Sequence, residues 1–151
     1  MSKKVNPLIF LMAEDDSDDR LLVKEAFRDN DMINTLHFVE NGVELLDYLR
    51  RQGKFGSQAM YPIPDVILLD LNMPRKDGRE ALEEIKTDPH LRHIPVVVLT
   101  TSSAEEDVIR SYDNGAAGYI TKPVKFGGLV EAIQGLKQYW EKVVRLPAKV
   151  T

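Results

Sequence analysis

Short apolar runs of three to six residues alternate with helical patterns along this chain of 151 residues. Continuous apolar runs bounded by turns are typical of buried parallel strands, because both faces of such strands are covered. Each run ends in polar residues of a different kind. The four clearest runs are residues 8–13, 66–69, 96–99 and 118–120, which lead into Glu14-Asp15, Asp70, Thr100 and Thr121-Lys122.

The pattern predicts five strands and five helices in alternation. We expect strands at residues 8–13, 35–40, 65–70, 95–100 and 117–121, and helices at 17–29, 42–52, 78–87, 104–114 and 126–144. This alternation implies right-handed crossovers and a doubly wound α/β fold with a five-stranded parallel sheet. Residues 53–64 form the longest expected loop, which is polar in composition. Chemistry in such a sheet collects beyond the carboxyl ends of the strands, so the polar residues should converge there.

Length and composition narrow the class of protein. A chain of this length is most simply one domain, residues 1–151, and we expect a core over 8–138 with an extended helix and tail over 139–151 that leave no room for an output domain. The net charge of −4 argues against general nucleic-acid binding. There is no cysteine, which fits a reducing, cytoplasmic compartment. The apolar runs are too short to span a membrane, and a signal peptide is not expected.

Acidic residues follow the first strand. Asp18 and Asp19 are interpreted as acids of a helix N-terminus, which the helix dipole favours. Glu14 and Asp15 differ because they follow a buried run directly, and like charges held close together need a counter-ion. Oxygen ligands with no Cys or His nearby suit Mg²⁺, and a further acid at residue 70 strengthens that interpretation.

The other strand ends each have two interpretations. Asp70 is either a turn former beside a proline or a carboxylate nucleophile of the kind that forms an aspartyl phosphate. Thr100 is either a residue that favours strands or a hydroxyl for a phosphoryl oxygen. Lys122 is either a solvated loop lysine or a cation that pairs with Asp70 and then with a phosphate. The ordered set favours the second interpretation in each case.

Several motifs resemble those of the bacterial response-regulator receiver domain, the family of the chemotaxis protein CheY. The resemblance implies a CheY-like, flavodoxin-like fold with strand order 2-1-3-4-5. It covers residues 8 to about 138. The matching stretches are Phe10-Leu-Met-Ala-Glu-Asp-Asp16, Val66-Ile-Leu-Leu-Asp-Leu-Asn-Met-Pro74, Asp77-Gly78, Pro95-Val-Val-Val-Leu-Thr100 and Gly115-Ala-Ala-Gly-Tyr-Ile-Thr-Lys-Pro123. Glu14 stands where the family most often has Asp, and a loop is inserted over residues 53–61.

The resemblance implies a role for each site residue. Asp70 would accept a phosphoryl group from a sensor histidine kinase and lose it slowly by self-hydrolysis, so the protein would be a signalling switch and not an enzyme. Mg²⁺ would be bound by Asp15, Asp70 and the backbone carbonyl of Asn72, with Glu14 acting through a bound water. The phosphoryl oxygens would contact Thr100 and Lys122, Tyr119 would be the switch aromatic, and the peptide before Pro123 would be cis.

A narrower similarity concerns the partner and the C-terminal helix. The stretches Asp70–Glu80 and Ile94–Ser102, the inserted loop and Tyr139-Trp140 are similar to stand-alone regulators paired with cyanobacterial phytochromes. Trp140, Val143 and Leu146 extend past the part of the last helix that covers the sheet. We expect them to form an apolar patch, and a homodimer through helix four, strand five and helix five.

Two other functions are weaker. A phosphohydrolase of the haloacid-dehalogenase type needs a second acid two residues after the nucleophile, where this chain has Asn72. A flavin or nucleotide carrier on the same fold needs a phosphate-binding loop rich in glycine, which the acidic edge lacks.

Overall fold

The computed structural model describes residues 8–57, 59–122 and 125–143, except for the side chains of residues 142 and 143. The predicted sheet is confirmed: five parallel strands lie in the order β2-β1-β3-β4-β5. The strands are β1 (Phe10–Ala13), β2 (Leu36–Val39), β3 (Val66–Leu69), β4 (Val96–Thr100) and β5 (Gly118–Thr121). The helices are α1 (Ser17–Asp29), α2 (Gly42–Leu49), α3 (Gly78–Thr87), α4 (Glu105–Asp113) and α5 (Phe126–Gln138).

Alternating side chains of the strands pack into two separate hydrophobic clusters, one on each face of the sheet. Leu11, Ile67 and Val98 belong to the cluster under α2 and α3, whereas Met12 and Leu68 belong to the cluster under α1 and α5. Successive strand residues point to opposite faces, so a fully buried strand contributes to both clusters. Strands β1, β3 and β4 are buried along their whole length, which explains their continuous apolar runs.

Three of the helices begin at an acidic or amide side chain that caps the free backbone N–H groups. Asp16 accepts from the N–H groups of Asp18 and Asp19, Asn41 accepts from Glu44, and Asp77 accepts from Arg79. Two of these caps, Asp16 and Asn41, lie within three residues of the carboxyl end of a strand. The caps therefore set the direction in which the chain leaves the functional edge of the sheet.

Helix α2 ends at Leu49, earlier than the predicted residue 52. Arg51 has φ of 58° and Gly53 has φ of 61°, so the chain leaves the right-handed helical region there. The predicted polar loop that follows is wrong in one respect: it holds a 3₁₀ turn, Gly53–Gly56, whose Phe55 is buried. The Phe55 ring packs against the rings of Tyr48 and Tyr61, and Arg51 donates to the carbonyl oxygen of Tyr61.

The C-terminal helix changes character earlier than predicted. A π-helical turn, Tyr139–Val143, follows α5. Trp140 is partly buried against the core under α1 and α5, so the expectation that it lies free in an apolar patch is wrong, while Tyr139 is exposed. The side chain of Val143, residues 144–151 with Leu146, and the peptide before Pro123 lie outside the described residues. Within the described part of the chain, no helix is long and apolar enough to cross a membrane.

Candidate functional site

Three carboxylates meet at the carboxyl ends of β1 and β3. The N–H of Glu14 donates to the carbonyl of Val39 at 3.0 Å, and the N–H of Asp70 donates to that of Ala13 at 3.1 Å. These bonds extend the strand ladder by one residue on each side of β1 and bring the two strand ends level. As a result, carboxylate oxygens of Glu14, Asp15 and Asp70 all lie within 4.8 Å of one another.

The three acids differ in their exposure to solvent. Glu14 is 1% exposed and Asp70 is 5% exposed, whereas Asp15 is exposed. Burial raises the pKa of Glu14 to about 7, and the nearby charge of Asp70 adds to the rise while Lys122 opposes it. The Glu14 carboxyl therefore holds its proton more tightly than an exposed glutamate does.

Lys122 is the cation of this cluster. Its Nζ donates to Glu14 at 2.5 Å and to Asp19 at 2.8 Å, and lies 3.9 Å from an oxygen of Asp70. Burial alone would lower the pKa of Lys122, but the hydrogen bonds to Asp19 and Glu14 raise it. The interpretation of Asp19 as a helix N-terminal acid only is therefore incomplete. Asp19 lies on the first turn of α1, four residues after Asp15, and this spacing is the signal in the sequence that it faces the acidic cluster.

The turn after Asp70 holds a second group of polar side chains. The N–H of Asn72 donates to Asp70 Oδ1 at 3.2 Å, and the Asn72 side chain donates to Thr100 Oγ1 at 3.5 Å. Thr100 is fully buried at the end of β4. Gly78 closes the turn, because a Cβ there would lie only 2.2 Å from the carbonyl oxygen of Asp70. The turn thus holds Asn72 beside both Asp70 and Thr100.

Tyr119 connects this edge to the loop after β4. Its ring packs against the core under α2 and α3, and its hydroxyl donates to the carbonyl of Ser102 at 2.9 Å. The Ser102 hydroxyl donates to Asp107 of α4 at 2.6 Å, and Arg79 of α3 forms two bonds of 2.7 Å to the same carboxylate. Hydrogen bonds from Arg79 and Ser102 hold the pKa of Asp107 well below its usual range.

Apart from Tyr119, the structure brings the predicted site residues to one edge of the sheet. Glu14, Asp15 and Asp70 form the acidic cluster, Lys122 pairs with it, and Asn72 and Thr100 lie beside Asp70. Tyr119 lies apart, in contact with Ser102. Sequence reasoning missed Arg79, Asp107 and Ser102, because the contact between Arg79 and Asp107 joins residues 28 apart without a local pattern.

The donor set fits a divalent cation. The clustered ligands are carboxylate oxygens, one of them exposed, which matches the preference of Mg²⁺ for a few carboxylates together with water. The burial of Glu14 and Asp70 is a second observation in favour, because buried carboxylates need positive charge beside them and a cation would add to the charge of Lys122.

The comparisons with known proteins agree with this geometry. Residues 10–134 match the response regulator receiver domain family. Response regulator Rcp1 from Synechocystis sp. is 42% identical over 149 residues, which cover 98% of this chain and 99% of Rcp1. The crystal structure of the phosphorylated cyanobacterial phytochrome response regulator RcpA is 40% identical with a TM-score of 0.83, over 95% of this chain and 100% of RcpA. The Mn²⁺-bound form of Rcp1 is 40% identical with a TM-score of 0.78, over 94% of this chain and 100% of that one. The resemblance drawn from the motifs is confirmed, and the chain belongs to the response regulator receiver domain family of two-component signalling proteins.

Proposed function

We propose that this chain is a signalling switch in which Asp70 accepts a phosphoryl group from a sensor histidine kinase. The observation that carries the proposal is the meeting of three carboxylates within 4.8 Å, with Lys122 Nζ 3.9 Å from Asp70. An oxygen of Asp70 attacks phosphorus, the N–P bond of the phosphohistidine breaks, and the departing imidazole keeps its electron pair. The product is an acyl phosphate on Asp70 and a free histidine on the kinase.

Each site residue has a part in this transfer. Mg²⁺ would be held by Asp15, Asp70 and the carbonyl of Asn72, with Glu14 nearby, and when bound it neutralises charge on the transferred group. Lys122 and the hydroxyl of Thr100 would donate to the phosphoryl oxygens. A phosphoryl group brings a charge of about −1.5 to −2, which Lys122 is already placed to meet. Thr100 would pass the change to Tyr119 through the loop that both residues contact.

The test is chemical phosphorylation. Acetyl phosphate with Mg²⁺ should label the wild type, and Asp70→Asn should fold and stay unlabelled. Asp29→Asn is the matched control, because Asp29 is an exposed acid at the end of α1, and it should label like the wild type. Full labelling of Asp70→Asn, or labelling of the wild type that survives EDTA, would contradict the assignment.

The kinase in this proposal is of the phytochrome type and shares the cytoplasm with this chain. Support comes from RcpA, which is described as a phytochrome response regulator and aligns with 95% of this chain. The expected result of a phosphotransfer profile is fastest transfer from a phytochrome-like kinase. Faster transfer from kinases of other classes would overturn this part of the proposal only. Slow self-hydrolysis of the acyl phosphate is consistent with Asn72, because its amide side chain cannot activate water as a carboxylate would. We therefore do not propose that the protein turns over as an enzyme.

We also propose a homodimer through α4, β5 and α5. Ile109 and Tyr112 on α4 are 53% and 50% exposed, and Tyr139 is 48% exposed. Ile109 and Tyr112 are three residues apart on α4 and are therefore neighbours on its surface, and contiguous exposed apolar surface commonly marks a contact site. Ile109→Ser with Tyr112→Ser should shift the protein to monomer in sedimentation and leave labelling of Asp70 intact. A wild type that is monomeric at high concentration, with and without phosphorylation, would dismiss the dimer.

A further inference from the structure

The guanidinium of Arg79 joins three parts of the molecule. Its Nε and Nη2 donate to the two carboxylate oxygens of Asp107 in α4, each at 2.7 Å. Its Nη1 donates to Asp77 at 3.0 Å and to the side-chain oxygen of Asn72 at 3.4 Å. The side chains of Arg79 and Asp107 are only 21% and 15% exposed. A planar, forked donor in this setting fixes the orientation of its partners as well as their distance.

Each partner of Arg79 leads to a residue of the proposed switch. Asn72 contacts Asp70 through its N–H at 3.2 Å and Thr100 through its side chain at 3.5 Å. Asp107 accepts from the Ser102 hydroxyl at 2.6 Å, and the Ser102 carbonyl accepts from Tyr119 at 2.9 Å. A continuous set of hydrogen bonds therefore runs from the phosphoacceptor through α3 and α4 to Tyr119. It runs parallel to the link through Thr100, whose hydroxyl also accepts from Asn72 and from the N–H of Ser102.

We propose that Arg79 is a positioning residue that couples phosphorylation of Asp70 to the conformation of the loop after β4 and of Tyr119. The proposal rests on the proposed function of Asp70. By holding Asn72 and Ser102, the Arg79–Asp107 pair keeps the Thr100 hydroxyl and the Asn72 backbone in place for the incoming phosphoryl group. Coupling of this kind is reciprocal at equilibrium, so an ion pair that stabilises the phosphorylated state is itself stabilised by phosphorylation.

A second ion pair between the same two helices serves as a control. It distinguishes a positioning role of Arg79 from a role in which Arg79 only holds the helices together. Arg110 of α4 lies 3.9 Å from Glu83 of α3, and both side chains are more than half exposed. Within the described residues, Arg110 has no hydrogen bond to Asn72 or Ser102. Arg110→Gln removes the same charge and a bridge between the same elements. If Arg79 only held α3 against α4, Arg79→Gln and Arg110→Gln would have similar labelling rates and similar Tyr119 responses.

The experiment compares the wild type with Arg79→Gln, Arg79→Lys and Arg110→Gln. The first measurement is the rate constant for labelling of Asp70 by acetyl phosphate with Mg²⁺. The second is the change in the NMR signals of the Tyr119 ring when beryllofluoride is added. Arg79→Gln should label about fivefold more slowly or worse, because misplaced groups around the reacting atoms slow the transfer. Its Tyr119 response should shrink, Arg79→Lys should lie between, and Arg110→Gln should match the wild type in both measurements.

The outcomes separate this inference from the function beneath it. A wild type that does not label overturns the proposed function. A wild type that labels, with Arg79→Gln equal to it in both rate and Tyr119 response, overturns the coupling alone. Equal losses in Arg79→Gln and Arg110→Gln also overturn it, because the effect would then belong to helix attachment. If Arg79→Gln does not fold, Asp107→Asn replaces it with the same expected loss and the same refuting result.

Discussion

Replacing Glu14 by Gln should stabilise the folded protein, and the gain should grow with pH. Glu14 is 1% exposed, and its pKa is raised from 4.5 to about 7, chiefly by burial. The folded protein therefore holds this proton more tightly than the unfolded chain does. Such a group contributes full stability below pH 4.5 and loses it as the pH rises towards about 7. Gln has no proton to lose, so the variant escapes this penalty.

The magnitude follows from the displacement of the pKa. Each unit corresponds to about 1.4 kcal/mol, so ionised Glu14 costs about 3 kcal/mol relative to its protonated form. The difference in free energy of unfolding between variant and wild type should rise by roughly 2–3 kcal/mol from about pH 5 to about pH 8. The lost bond to Lys122 offsets little of this, because Asp19 still accepts from its Nζ at 2.8 Å.

Urea unfolding in EDTA at both pH values measures the effect. Glu40→Gln is the matched control, since Glu40 is 66% exposed and lies 3.8 Å from Arg20, and removal of this exposed carboxylate should not reproduce the gain of Glu14→Gln. Added Mg²⁺ should stabilise the wild type more than Glu14→Gln. If the gain of Glu14→Gln were the same at both pH values, Glu14 would not be a desolvated acid and the charge argument for a cation would fail.

Three further outcomes are expected. Gly78→Ala should lower the free energy of unfolding by about 1–3 kcal/mol in thermal melts, because the new Cβ would strike the Asp70 carbonyl. Gly127→Ala, where no described atom lies within 4 Å of a Cβ, should cost far less, and equal melts would refute the argument. Phe55→Ala should cost about 3–5 kcal/mol in urea unfolding, since the ring is 4% exposed, and a change under 1 kcal/mol would show that the inserted loop packs loosely. Asp15→Asn should weaken the binding of Mg²⁺ about tenfold or more in calorimetry, since even changes outside the direct ligands can cause a loss of this size. An unaltered affinity would exclude Asp15 as a ligand.

The sheet and the convergence of the polar residues were predictable because both depend on simple regularities. Buried parallel strands produce continuous apolar runs, and their carboxyl ends share one edge, so the acids after β1 and β3 had to meet. The positions of Asn72, Thr100 and Lys122 relative to Asp70 follow from the same rule. Their expected roles in metal binding and transfer remain predictions until the variants are measured.

Other features depend on contacts that no local pattern encodes. Helix α2 stops early because Arg51 adopts a positive φ, a conformation that residue type does not announce. The inserted loop is anchored by Phe55, whose ring packs against Tyr48 and Tyr61. In the sequence Phe55 is one apolar residue among polar ones, so its burial could not be predicted. Arg79 reads as an ordinary surface cation of an amphipathic helix. Its partner Asp107 lies in α4, and the two residues meet only because α4 lies beside α3 in the fold.

The strand order also has a consequence for synthesis of the chain. Phe10 of the central strand β1 pairs with Leu36 on one side and with Val66 on the other. On the ribosome β1 and β2 are complete well before β3 appears, and the contact from Ile9 to Asp65 spans 56 residues. Until then a fully apolar strand presents an unpaired edge, and such edges recruit other chains. Nascent chains that end before residue 66 should therefore be prone to associate. The unpaired apolar edge then moves to β3 and β4, so chaperone dependence should end only when the partly buried β5 has paired with β4.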